Sequence, residues 1–155
     1  MATVKSTLDE TAQKTTGEAL QGALVDLLDL SLVGKQAHWN ITGRHFKQVH
    51  EHLDEVVALA REYADTVAER AVAIGVNPDG RVRTLADRTA LPQLDAGWIT
   101  DDKVVAAITD ALAQIIGRFR ERIAATDEAD QVSQDLFIEI TAALEKQHWM
   151  FAVQN

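Results

Sequence analysis

Cysteine is absent from the 155 residues. That removes disulfides, thiolate metal sites, iron–sulfur clusters and cysteine nucleophiles together, so any metal must be held by imidazole and carboxylate. Proline occurs twice and glycine eight times, which excludes collagen-like and Pro/Gly-rich disordered chains. Bases are also scarce: 15 Lys and Arg against 24 Asp and Glu leave a formal charge of −9. A surface of that sign repels phosphate backbones and attracts cations. No uncharged apolar run reaches the length of a membrane span. The opening MATVKSTLDETAQKTTG lacks the apolar core of a signal peptide, so a cytoplasmic protein is expected. What is present is 46% hydrophobic residues, enough for one domain with a real core.

Residues 1–16 are rich in Thr and Lys without periodicity and read as a flexible N-terminal tail, Lys5 and Lys14 balanced by Asp9 and Glu10. A capping box from Thr15 to Glu18 opens helix one, which runs to about Trp39 with Leu20, Ala23, Leu24, Leu27 and Leu30 inward. Helix two runs from about His45 to Ile74, ended by Gly75 and Pro78. The connection over 75–100 holds both prolines and a short turn at Leu85 and Ala86. Helix three starts at Thr100-Asp101-Asp102, and helix four covers about Asp130 to Val153. The fold class is therefore all-α: a domain over 17–155 forming a four-helix bundle. The link between helices two and three is too long for a hairpin. It suits the one long crossover of ferritin-like topology.

Helix two carries the chemistry. His50 and Asp54 are spaced i,i+4, as are Asp65 and Glu69, and all four fall within a sector of roughly 100°. Phe46, Val49, Leu53, Val57, Ala60, Ala64, Val67 and Ala71 form an apolar stripe roughly 120° away. Asp54 and Asp65 stand roughly 16 Å apart along the axis, too far for one cluster with ligand distances near 2 Å. Two antiparallel copies about a twofold axis solve this, His50 and Asp54 of one chain facing Asp65 and Glu69 of the other. Ala58 and Ala68 permit close approach on that face. His38, at the end of helix one, can reach the half that holds His50. Two His and three carboxylates suit iron, manganese or zinc. The bland alternative is a solvated acidic face and a histidine serving as a helix cap.

Lys35-Gln-Ala-His-Trp-Asn-Ile-Thr-Gly43, then Phe46 to Asp54 as FxxxHExxD, then Asp65 to Arg70 as DxxAER, resemble the Dps family. These are the mini-ferritins, or DNA-binding proteins from starved cells. Glu145-Lys-Gln-His-Trp-Met150 is similar to the family's EKxxWM ending. The resemblance implies a ferroxidase centre between twofold-related subunits, with His38, His50 and Asp54 of one chain opposite Asp65 and Glu69 of its partner. It places Trp39 beside that centre. It implies a hollow homododecamer that oxidises two Fe(II) per centre with hydrogen peroxide, or oxygen, and stores Fe(III) mineral against oxidative damage. Glu51, Glu55 and Glu62 are then either nucleation residues or a solvated face, and Asp130 and Asp135 either pore acids or helix-start acids. His45 and His52 lie off the ligand sector and are expected at the surface. DNA binding is the rival function, disfavoured by the acidic charge and neutral tail; metal-dependent hydrolysis on the same ligands is a third.

Overall fold

A computed structural model describes residues 4–154. Its long helices are α1 (Glu10–Asn40), α2 (Phe46–Ala73), α4 (Asp101–Thr126) and α5 (Gln131–Ala152); α3 (Val82–Arg88) is short. Two two-residue strands, β1 (Ile41–Thr42) and β2 (Ile99–Thr100), pair in parallel with Ile41 opposite Ile99. Since β1 leads into α2 and β2 leads into α4, those two helices start at the same end of the bundle. The long connection is thus a crossover, and the four-helix, ferritin-like layout expected from the sequence is the one observed.

The start of α1 is a correction. The helix begins at Glu10, with the Asp9 side chain accepting from the Ala12 amide at 2.9 Å. Thr16 and Gly17 lie buried in mid-helix, so Thr15–Glu18 is not a helix-opening box. The physical reason is tertiary. Gln13 Nε2 donates to the Ile74 carbonyl at 2.8 Å, satisfying one of the orphan acceptors at the end of α2. Gly17 lets Val76 close on the helix, and Leu8 packs on the core. Of the tail read over 1–16, the part from Glu10 onward is helix. Residues 1–3 of that tail, and residue 155 at the other end of the domain, lie outside the described residues.

The core follows the heptad-like stripes. Leu20, Leu27, Leu30, Leu53, Ile108, Leu112, Ile115, Phe119, Phe137, Ile140 and Phe151 are all fully buried. Each contributes about 1.5–3 kcal/mol by leaving water. Phe119 and Phe137 meet edge to face at 5.9 Å. Phe46 departs from the stripe: it is 42% exposed at the first turn of α2, with its ring 5.1 Å from that of His50.

Several buried carboxylates inside the bundle are paired, while Thr16 Oγ1 and Arg122 Nη1 are buried without a hydrogen-bond partner among the described residues. Asp26 on α1 is bound by Arg118 (2.9–3.1 Å) and Arg122 (2.7 Å) of α4. Asp29 accepts from Thr89 and Gln93 and so pins the crossover against α1. At the other corner, Gly43 takes φ +130° and lets Asp101 approach, whose Oδ2 accepts from the His45 amide at 2.6 Å.

Candidate metal centre

His38 ends α1 and His50 sits one turn into α2, so the short α1–α2 corner brings the two rings together. They stack at 3.6 Å between centroids, with planes 21° apart. His38 Nδ1 lies 2.9 Å from the His50 carbonyl, and His50 Nδ1 lies 2.9 Å from the His38 carbonyl. A carbonyl only accepts, so each Nδ1 carries a proton and donates it. Both Nε2 atoms are then left as lone-pair donors, the form in which imidazole binds a metal.

Asp54 lies one turn beyond His50. Its Oδ1 is 3.4 Å from His38 Nδ1 and is hydrogen-bonded by Lys35 Nζ. The Lys35 bond holds the Asp54 carboxyl below its usual range, against the desolvation that opposes it. His38 is 8% exposed, whereas the Asp54 side chain is 52% exposed. One end of α2 therefore gathers His38, His50 and Asp54 around one edge of the corner.

Asp65 and Glu69 are exposed, further along α2, and the structure does not bring them to the histidine end. Among the described residues no group of three or more His, Asp or Glu is closed around a metal position within one chain. Trp39 stands beside His38 and is 66% exposed; Leu32, two turns back on the same face of α1, is 56% exposed.

The remaining acids divide. Glu51, Glu55 and Glu62 are all exposed, Glu51 in a 3.7 Å pair with Lys47. Asp130 caps α5: its carboxylate accepts from the Ser133 amide at 3.2 Å and from Arg70 at 2.6 Å. Asp135, a turn and a half into α5, is exposed. His45 is exposed as expected, but His52 is a correction. Its Nε2 is 2.8 Å from Gln147 Oε1, and its ring stacks on Phe151 at 4.1 Å. It seats α2 against α5 and is half-buried because Phe151 offers it a flat apolar face. Asp26 and its two arginines escaped the sequence reading; a carboxylate on an otherwise apolar stretch of α1 was the available signal.

A ferritin-like domain model matches residues 17–154. The chain is 32% identical over 136 residues to DNA protection during starvation protein 2 of Deinococcus radiodurans, covering 88% of this chain and 56% of that protein. It is 31% identical over 146 residues to DNA protection during starvation protein of Agrobacterium fabrum, covering 94% and 90%. Among solved structures, Dps from Microbacterium arborescens in the high iron form superposes with a TM-score of 0.90 at 36% identity, over 97% of each chain. No helix among the described residues is long and apolar enough to cross a membrane. Matched over nearly its whole length in sequence and in backbone, the chain belongs to the Dps family of ferritin-like proteins.

Proposed function

We propose that the protein oxidises and stores iron at a centre shared between two subunits. His38, His50 and Asp54 of one chain supply one half of the ligands, and Asp65 and Glu69 of a twofold-related copy supply the other. The observation that carries this reading is the pair of imidazoles locked through Nδ1 with both Nε2 atoms left to bind, while the two remaining acids lie roughly 16 Å along the same helix. Leu32 and Trp39, exposed on one face of α1, offer apolar surface for the second copy beside the site.

Fe(II) is the substrate. Two Fe(II) ions give one electron each to hydrogen peroxide, whose O–O bond breaks with uptake of two protons to form two waters. Passing both electrons together avoids hydroxyl radical. Hard carboxylates favour the Fe(III) product, which moves to the interior of a dodecameric shell. Glu51, Glu55 and Glu62 serve there as mineral-nucleating acids, and Asp135 as an acid at the entry pore. Asp130, bound by Arg70 and Ser133, supports that pore by fixing the start of α5. Trp39 lies where it can shield the centre. Oxygen is the slower oxidant. The relatives are named for DNA protection; in a cytoplasmic chain of charge −9, removing iron and peroxide protects DNA without contact.

The test is complementation. His50→Ala and Asp65→Ala each abolish rapid peroxide-driven Fe(II) oxidation in stopped flow while the assembly stays intact. Dissociating and reassembling the two variants together restores part of the rate, because some interfaces then hold one complete centre. Wild-type rates in either single variant, or no recovery in the mixture, rule the shared centre out.

A further inference from the structure

One ligand of the centre is already taken by a cation of the chain itself. Lys35 lies one turn before His38 on α1, and its ammonium binds Asp54 Oδ1, the same oxygen that faces His38. The Lys35 side chain is only 20% exposed, and Asp54 is its one side-chain partner among the described residues. We propose that Lys35 is a placeholder cation: it neutralises Asp54 in the metal-free protein and competes with the incoming metal for that carboxylate. This rests on the reading of His38, His50 and Asp54 as ligands.

The consequence is electrostatic. A divalent ion that takes Asp54 must displace the ammonium, which stays within side-chain reach as an unpaired positive charge. The repulsion it exerts scales with the charge of the metal, so Fe(III) is opposed half as much again as Fe(II) at the same position. Lys35 therefore lowers occupancy by the substrate and, more strongly, by the product. The centre becomes a place that iron passes through. Lys35 is a positioning residue in this scheme, acting on the metal through Asp54.

Zn(II), which undergoes no redox chemistry, isolates the binding step. Calorimetric titration of Zn(II) into the metal-free assembly compares wild type with Lys35→Met, Lys35→Gln, Lys35→Arg and His50→Ala. Removing the charge in Lys35→Met or Lys35→Gln tightens Zn(II) binding by about threefold to tenfold. Lys35→Arg, which keeps the charge, binds as wild type. A lysine needed only for structure would give the opposite sign, so equal or weaker binding in the folded Met or Gln variant overturns the proposal. Tightening in Lys35→Arg overturns it as well. Undiminished binding in His50→Ala instead overturns the ligand assignment itself, which separates the two failures.

Discussion

His38 and His50 fix one another: each ring donates through Nδ1 to the other's backbone carbonyl at 2.9 Å, and the two rings stack at 3.6 Å. Each imidazole is thus held in orientation by the backbone of the residue it faces. The pair behaves as one unit.

That unity predicts non-additive loss of metal. His38→Ala removes a ligand and also frees the His50 ring to turn. Each single alanine variant is therefore expected to lose as much Co(II) affinity as the double variant, where independent ligands would add. Titration followed by the Co(II) visible spectrum measures it.

Asp130 predicts a pH effect with a definite sign. Burial pushes its carboxyl up, but the Ser133 and Arg70 hydrogen bonds outweigh that, and the net shift is downward. A carboxyl depressed in the folded state contributes stability above its unfolded value, about pH 4, and that contribution fades as pH falls through the folded value. Urea midpoints of Asp130→Asn should therefore fall less steeply below pH 4 than those of wild type. At pH 7, Asp130→Ala loses the cap and strands Arg70, costing about 2–4 kcal/mol.

Gly43 predicts a local defect. Its φ of +130° is strained for any residue with a Cβ, and that Cβ would meet the Asp101 carboxylate. Gly43→Ala is expected to cost about 1–3 kcal/mol and to break the Asp101–His45 hydrogen bond. Hydrogen exchange should show faster exchange at the His45 amide, with the centre of α4 unchanged.

Most of the bundle was legible because its signals are periodic. Val105, Ile108, Leu112, Ile115 and Phe119 form one buried face of α4, and the same spacing is plain in the sequence. The sector holding His50, Asp54, Asp65 and Glu69 was equally plain, since it depends only on helix geometry. What the sequence hid were contacts decided across the fold. The start of α1 is set by Gln13 reaching Ile74, and a Thr-rich stretch gives no sign of it. His52 is half-buried because Phe151 lies opposite, 99 positions along. The Lys35–Asp54 pair joins two motif blocks whose spacing says nothing about which side chains meet.

The two-residue β1–β2 pairing closes the crossover, which leaves the far end of α2 at Ile74 and returns to the histidine corner, where α4 starts. Only its end is tied tightly to that corner; Asp29, Thr89 and Gln93 hold its middle to α1, and Val82 and Trp98 stand 85% and 80% exposed. Closing a longer loop costs little, about 0.6 kcal/mol per doubling of length. The exposed stretches on either side of the Asp29 anchor are therefore where this chain can accept inserted sequence, a tag or a cargo peptide, while the imidazole pair keeps its geometry.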